Sequence, residues 1–244
     1  MARDLAQEAG ELLLQLRASG EYADGQLRSA GDRQSHELLM NRLAQLRPQD
    51  AVLSEEGKDD LARLQASRVW IVDPLDGTRE FGEVPRTDWA VHVALWQDGD
   101  LVAGAVARPA DGLTLATDEP PARPVGKPER IRLAVSRTRP PAFVTRLAER
   151  IDGELVPMGS AGVKATAVLD DTVDAYVHAG GQYEWDSAAP VAVAQAAGLH
   201  TSRIDGSPLT YNQADPLLPD LLICRPEIAD ELLATIADLI REGV

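Results

Sequence analysis

Two amphipathic helices are predicted at the start of the chain. Apolar residues recur at helical spacing between Asp4 and Leu16, which indicates one buried helix face. The same pattern returns between His36 and Leu46, and Pro48 ends it because proline cannot continue a helix. The chain is therefore expected to open with two helices that pack against something apolar.

Short apolar runs typical of β-strands follow the two helices. They cover residues 51–54, 69–73, 89–96 and 101–107. The last two runs are joined by Gln97-Asp98-Gly99-Asp100, and an Asp-Gly pair in such a connection favours a tight hairpin. The first half of the chain is predicted to be α+β with antiparallel strands.

The pattern of apolar and polar residues changes in the middle of the chain. Residues 118–130 are rich in proline and charge and show no apolar period, so we predict a boundary between domains 1–129 and 130–244. Beyond it strands and helices alternate, which predicts an α/β domain. The expected strands are 130–136, 154–158, 173–178 and 221–225, and the expected helices are 140–151, 161–169, 185–197 and the segment from Pro226.

Composition narrows the classes of function. The 244 residues include 24 Lys and Arg against 39 Asp and Glu, a formal net charge of −15. Nucleic-acid polymers and anionic membranes bind basic protein surfaces, so neither is an expected partner of this acidic chain. No apolar run approaches the roughly 18 residues that span a bilayer. Charges also interrupt the apolar stretches at the N-terminus, which excludes a secretory signal there and predicts a cytoplasmic protein.

The single cysteine, Cys224, excludes an internal disulfide and any multi-cysteine metal site. It lies in a short apolar run, where we expect a buried core residue.

The segment 70–81 carries the densest chemical signal. An apolar strand runs directly into Asp73, Pro74, Leu75, Asp76, Gly77 and Thr78. Two carboxylates around a stiff turn at a strand end can face one point, and facing anions need a cation between them. The alternative is an Asx-type turn followed by a helix N-cap, a common use of Asp-Pro and Asp-Gly.

Three further segments, with four acidic residues among them, strengthen the metal hypothesis. Glu55 and Glu56 follow the strand 51–54, and because neighbours in a strand point to opposite faces, one of the two is expected to be a ligand. A solvated loop is the alternative. Asp186 and Asp32 each lie near a predicted helix start, where an ordinary N-cap is the alternative.

In this order and spacing the motifs resemble the magnesium-dependent, lithium-sensitive phosphatase superfamily of inositol monophosphatase, fructose 1,6-bisphosphatase and the 3′-phosphoadenosine 5′-phosphate (PAP) phosphatases. The motifs that carry the resemblance are Ser-Glu-Glu at 54–56, Trp-Ile-Val-Asp-Pro-Leu-Asp-Gly-Thr at 70–78, Gly-Ser-Ala at 159–161 and Glu-Trp-Asp-Ser-Ala-Ala at 184–189, preceded by Asp32. The similarity covers nearly the whole chain. It implies a layered αβαβα sandwich with an α+β N-terminal half and an α/β C-terminal half.

The resemblance also implies two to three Mg²⁺ ions. Glu55, Asp73 and the Leu75 carbonyl would hold one ion, and Asp73, Asp76 and Asp186 a second. A third, weaker ion would use Glu55 and water.

The catalytic roles implied by the resemblance fall on Asp32, Thr78 and Glu55. Thr78 would orient the attacking water and Asp32 would accept its proton, while the amides of Gly77 and Thr78 would bind phosphate oxygens. Relatives often carry a Lys and a Ser-Pro-Val-Thr-like stretch before the first Asp, whereas this chain reads EYADGQLRSAGD. That departure leaves open the mobile loop, the third metal and the role of Asp32 as the base; whether Glu56 contributes is also open.

Substrate choice within the family depends on a second set of residues. Lys164 and the Glu184-Trp185-Asp186 triplet resemble the nucleotide enzymes more than the inositol enzymes, and a Lys ammonium suits a second phosphate. The alternative for Lys164 is a solvated helix position. The full set of expected substrate contacts is Gly77, Thr78, Ser136, Arg137, Gly159, Ser160, Lys164, Glu184 and Asp186.

These residues lead to the prediction of a phosphatase that converts PAP to AMP and phosphate, and also acts on 3′-phosphoadenylyl sulfate, in sulfate assimilation. The alternatives are an inositol monophosphatase, a fructose bisphosphatase, or a non-catalytic metal- or nucleotide-binding regulator. Tyr183 or Trp185 either stacks on adenine or packs in the core. All histidines are interpreted as structural or surface residues. The expected partner is a small phosphate ester, and a homodimer is left open.

Overall fold

The computed structural model describes residues 1–22 and 24–243, apart from the side chain of Asp24. The helices are α1 (Ala2–Ser19), α2 (Asp24–Leu46), α3 (Thr78–Gly82), α4 (Ala142–Arg150), α5 (Ala161–Thr166), α6 (Glu184–Ala196) and α7 (Pro226–Arg241). The strands are β1 (Ala51–Ser54), β2 (Arg68–Asp76), β3 (Ala90–Gln97), β4 (Asp100–Arg108), β5 (Leu113–Ala116), β6 (Arg132–Ser136), β7 (Glu154–Met158), β8 (Ala175–Tyr183), β9 (His200–Ser202) and β10 (Leu217–Cys224). Short 3₁₀ helices occupy Leu61–Gln65 and Pro109–Asp111.

The first sheet has the order β1-β2-β3-β4-β5 and is buried on both faces. Helices α1 and α2 cover the face that includes Trp70 and Val72, and α6 covers the face that includes Val69 and Ile71. Alternate residues of one strand therefore serve two different cores. The expected antiparallel pairing holds from β2 to β5, but β1 and β2 are parallel because the chain crosses over in residues 55–67.

The second sheet has the order β7-β6-β8-β10-β9. The pairs β7-β6 and β6-β8 are parallel, and β8-β10 and β10-β9 are antiparallel. Helices α4 and α7 pack on its outer face, while α5 and α6 lie between the two sheets. The predicted αβαβα layering is confirmed.

Helix α2 begins at Asp24, well before the predicted start at His36. Buried Leu27 and Ala30 extend its apolar face toward the N-terminus. Asp32 thus lies inside the helix, and the interpretation of Asp32 as its N-cap is wrong. A Cβ on Gly31 would come within 2.9 Å of both Leu75 and Phe81, so the glycine lets α2 approach the end of β2 closely.

Other elements differ less from expectation. Helix α5 ends at Thr166, short of the predicted 169, and the sequence patterns missed β5 and β9. Cys224 is buried in β10, as predicted. Residues 120–131 contain neither helix nor strand, and a domain boundary there stays a prediction. No described helix has the length and apolarity needed to cross a bilayer.

Candidate active site

The end of β2 forms the centre of the site. The pairing of β2 with β3 is irregular between Asp73 and Asp76, where Pro74 interrupts the ladder. The Leu75 amide donates to Asp73 Oδ1 at 3.0 Å, which closes an Asx-type turn. Gly77 then takes a left-handed conformation, φ 84°, and α3 begins at Thr78. The Asx-type turn is thus present and the two carboxylates still converge, but the helix N-cap is Gly77, with no side-chain cap from either aspartate.

Asp76 is held by partners from the start of α5 and from β3. Its Oδ2 accepts hydrogen bonds from Ser160 Oγ at 2.5 Å and from the Gly162 amide at 2.7 Å. His92 Nε2 lies 3.2 Å from the same oxygen. Burial alone would raise the pKa of Asp76, but His92, Lys164 and Ser160 outweigh it and hold that pKa well below its usual range. These contacts therefore favour the ionised form of Asp76 inside the protein.

His92 is a site residue that the sequence interpretation missed. It is fully buried on β3, opposite Asp73 in the ladder, and its Nδ1 lies 3.1 Å from the Trp185 carbonyl. Burial lowers the pKa of His92, but the neighbouring Asp76 more than compensates and leaves that pKa raised. Its partner Asp76 lies at the end of the neighbouring strand β2, and no spacing along the chain could reveal that the two side chains meet.

The remaining acids create an excess of negative charge. Single ligand atoms of Asp73, Asp76 and His92 all lie within 4.8 Å of one another. The pKa of Asp73 is raised well above its usual value by burial and by the charges of Glu55, Asp76 and Asp186. Burial also raises the pKa of Asp186 to about 6. Buried carboxylates in this arrangement fit a hard divalent cation that takes oxygen ligands.

Glu55 joins this cluster through the parallel pairing of β1 and β2. Its amide donates to the Val72 carbonyl at 3.4 Å, so it continues beside Asp73. The pKa of Glu55 is raised to about 7, mainly because its carboxyl group is partly desolvated, and further by Asp186, Asp76 and Glu56. Glu55 and Glu56 are both exposed residues of the turn that follows β1.

Asp32 and Thr78 meet although they come from different elements. Thr78 Oγ1 lies 3.1 Å from both Asp32 Oδ1 and the Leu75 carbonyl oxygen, and it can donate to one of them at a time. Burial raises the pKa of Asp32 to about 6, although the Thr78 hydrogen bond opposes this. A hydroxyl and a carboxylate that is largely ionised at neutral pH thus stand beside the acidic cluster.

Asp186 and Glu184 open α6 with different partners. Asp186 is the third residue of the helix, and its Oδ2 accepts the Tyr183 amide at 2.6 Å, so it supports the helix start without being the N-cap. Glu184 is buried and accepts the amides of Asn212 at 2.6 Å and Gln213 at 2.7 Å. Its carboxylate therefore binds the protein's own backbone.

Two adjoining cavities of about 530 and 280 Å³ flank the acidic cluster. Both are lined by Ser136, Arg139, Ser160 and Lys164. Asp76, Tyr183 and Asp186 line the larger cavity, and Gly77, Thr78, Arg137 and Gly159 line the smaller one. Glu184 lines neither.

Lys164 lies in the wall shared by the two cavities. Only 8% of it is exposed, so the alternative of a solvated helix position is wrong. Its Nζ donates to the Ser160 carbonyl at 2.6 Å and lies 5.4 Å from the centre of the Tyr176 ring. Desolvation lowers the pKa of Lys164, although Asp76 and Asp186 oppose the shift.

Arg137 and Gly159 already have protein partners. Arg137 donates to Glu80 and Glu83, each at 2.8 Å, and the Gly159 amide donates to Asp88 at 2.6 Å.

Tyr183 is 46% exposed at the rim of the larger cavity, which makes the core interpretation wrong for this residue. Its ring stacks on the half-buried Trp185 at 4.6 Å.

Comparison with known proteins agrees with this geometry. The chain is 56% identical over 240 residues to a 3′-phosphoadenosine 5′-phosphate phosphatase of Mycobacterium bovis, covering 95% of this chain and 90% of that protein. It is 31% identical to the 3′(2′),5′-bisphosphate nucleotidase CysQ of Escherichia coli K12, covering 88% and 94%. The crystal structure of CysQ from Bacteroides thetaiotaomicron superposes with a TM-score of 0.77 at 27% identity, covering 92% and 95%.

The sequence profile of the inositol monophosphatase family matches residues 1–241, almost the full length of the chain. The layered fold and the resemblance expected from the motifs are thereby confirmed. The chain belongs to the inositol monophosphatase family.

Proposed function

We propose that the protein is a metal-dependent phosphatase that hydrolyses the 3′-phosphate of PAP to give AMP and phosphate, and also acts on 3′-phosphoadenylyl sulfate, in sulfate assimilation. Support comes from the relatives named above, one of which is a PAP phosphatase with 56% identity over most of both chains. The acidic cluster and the two adjoining cavities supply a place for such a substrate.

The observation that carries the substrate proposal is the position of Lys164. A buried ammonium in the wall shared by two cavities can attract a phosphate in either of them. A substrate with two phosphates can place one beside the acidic cluster and the other beyond Lys164. A monophosphate leaves that second position empty.

The same donor set supports the proposal of Mg²⁺ as the metal. Glu55, Asp73 and the Leu75 carbonyl would hold one ion, and Asp73, Asp76 and Asp186 a second, all through oxygen atoms. When bound, such ions activate water and stabilise the leaving oxygen of an in-line displacement. A third ion at Glu55 stays a prediction.

The protein's own groups can orient and deprotonate the attacking water. Thr78 Oγ1 lies 3.1 Å from Asp32 Oδ1, so a water near the hydroxyl can pass its proton toward that carboxylate. Gly77 and Thr78 line the smaller cavity at the start of α3, and their amides are proposed to hold phosphate oxygens. Asp32, Thr78 and Glu55 are the proposed catalytic residues.

The proposal is tested by comparing three phosphate esters side by side. Phosphate release from PAP, inositol 1-phosphate and fructose 1,6-bisphosphate is measured with Mg²⁺, with EDTA, and with Mg²⁺ plus Li⁺. We expect PAP to have the highest kcat/KM and EDTA to abolish release from every substrate. A higher kcat/KM for inositol 1-phosphate or fructose 1,6-bisphosphate would replace the nucleotide proposal with one of those activities. Release that persists undiminished in EDTA would refute the metal proposal.

A further inference from the structure

A fully buried arginine joins the two sheets beside the site. Arg63 lies in the crossover between β1 and β2, yet only 1% of it is exposed. It donates to Asp59 through Nε at 2.7 Å and Nη2 at 2.9 Å. It also donates to Asn212 Oδ1 at 2.7 Å and to the Gln213 carbonyl at 2.8 Å, about 150 residues further along the chain. A crossover residue of the first sheet is thus bonded to a loop of the second.

The loop that Arg63 binds is itself bonded to α6. The amides of Asn212 and Gln213 donate to the two carboxylate oxygens of Glu184, and the Glu184 amide donates to the Pro216 carbonyl. Glu184 opens α6, and Asp186 follows in the same turn. The start of α6 is therefore fixed by the loop, and the loop is fixed by Arg63.

The other end of this network lies in the crossover that begins at Glu55. Asp59 and Arg63 belong to the same crossover as Glu55, which continues directly from β1. The proposed metal ligand Glu55 follows β1 and the proposed ligand Asp186 lies in the first turn of α6. Two such carboxylates repel each other when no cation lies between them. A rigid link between the two segments opposes their separation.

We propose that Arg63 is a positioning residue that sets the spacing between Glu55 and Asp186, and so determines metal affinity. This inference rests on the metal ligands assigned under the proposed function. A guanidinium fork serves three partners at once, whereas a lysine presents a single point charge and leaves buried acceptors unpaired. The same network gives Glu184 a role in holding the loop.

The test compares Arg63→Lys with a matched control, Arg225→Lys. Arg225 is likewise buried, 5% exposed, and pairs with Asp174 just before β8, outside both cavities of the site. Binding of Mn²⁺ to the metal-free protein is followed by electron paramagnetic resonance, and the Mg²⁺ dependence of phosphate release from PAP is measured in parallel. Thermal unfolding reports the stability of each variant.

Arg63→Lys is expected to raise the Kd for Mn²⁺ about tenfold, as is typical when groups that orient metal ligands are lost. The Mg²⁺ concentration for half-maximal rate should rise by a similar factor, while kcat at saturating Mg²⁺ falls less. Arg225→Lys should leave the Kd for Mn²⁺ within about twofold of the parent value, because Arg225 orients no proposed metal ligand. Equal Kd shifts in both variants would overturn the inference, since they would reflect general destabilisation.

Asn212→Gly keeps the inference testable if Arg63→Lys does not fold. Asn212 has φ 60°, which glycine adopts easily, and of the hydrogen bonds at this residue the change removes only the one that Arg63 donates to Oδ1. It should weaken Mn²⁺ binding in the same direction by a smaller factor, and an unchanged Kd would count against the inference. A parent protein that binds Mn²⁺ but hydrolyses none of the three esters would refute the proposed function alone.

Discussion

The two sides of the candidate site are built in different ways. The acidic side is dominated by Asp73, Asp76 and Thr78, which lie within one turn at the end of β2. The opposite side combines Lys164 of α5 with Tyr183 at the end of β8, and these residues meet only because α5 and β8 line one cavity. Local chain geometry forms the first side, and the packing of the second sheet forms the other.

This difference suggests a division of labour. The carboxylates of the short turn would hold the metal ions that act on the reacting phosphate. They would therefore serve the steps that are common to the hydrolysis of every phosphate ester. Cationic and aromatic groups on a separate wall can contact the rest of the substrate. Changes on the acidic side should therefore affect all substrates alike, and changes on the opposite side should distinguish among them.

The largest effect is expected on the acidic side. Asp76→Asn should lower kcat/KM by roughly 1,000-fold for PAP and for every other phosphate ester that the protein hydrolyses. Losing one electrostatic contact at a reacting centre commonly lowers the rate by a factor of about 10²–10³. Steady-state phosphate release measures the effect, and circular dichroism checks the fold. Asp220→Asn, which alters a carboxylate paired with Arg203 elsewhere in the second sheet, is the matched control and should keep full activity. Near-normal turnover of Asp76→Asn would remove this residue from the metal proposal.

An intermediate, selective effect is expected at Lys164. Lys164→Gln should lower kcat/KM for PAP by about 10- to 100-fold, the usual worth of a hydrogen bond to a charged group. The effect on 3′-AMP, which lacks the 5′-phosphate, should be within about threefold on the same reasoning. The ratio of the two kcat/KM values is the measurement. Equal losses of kcat/KM for both substrates would mean that Lys164 supports the whole site and does not bind the second phosphate. That result would contradict the proposed separation of roles between the two sides.

The smallest effect is expected at the rim. Tyr183→Ala removes an exposed ring that stacks on Trp185, and should raise KM for PAP about fivefold with little change in kcat, as expected for one aromatic contact. Tyr183→Phe keeps the ring and should behave like the parent. If the KM for PAP were the same in the alanine and phenylalanine variants, the adenine ring would not stack on Tyr183.

The sequence predicted much of the acidic side because its residues are neighbours. Asp73, Asp76 and Thr78 can be read from one segment, and the apolar run before them correctly indicated a buried strand end. Glu55 could be placed near them because its strand was evident, although the parallel pairing that brings it beside Asp73 was not. Their roles as ligands and catalysts stay predictions.

Groups that meet across elements were harder to predict. His92 faces Asp76 from another strand, and Arg63 bonds to residues about 150 positions away, so neither contact leaves a periodic signal in the chain. Asp32 was placed at a helix start, whereas α2 in fact extends through it and presents it to Thr78. Tertiary packing overrides local start signals when an apolar face continues.

By itself, the sequence determined an α+β half followed by an α/β half, the acidic turn at the end of β2 and, through its motifs, membership in the inositol monophosphatase family, and that resemblance implied the layered sandwich. The elements and the turn follow from short-range patterns of apolar, acidic and turn residues. Only the tertiary structure decided that Lys164 is buried between two cavities, that His92 holds Asp76, and that Arg63 links the sheets. Burial and long-range hydrogen bonds depend on which surfaces meet in the folded chain, and the spacing of residues along it does not specify them.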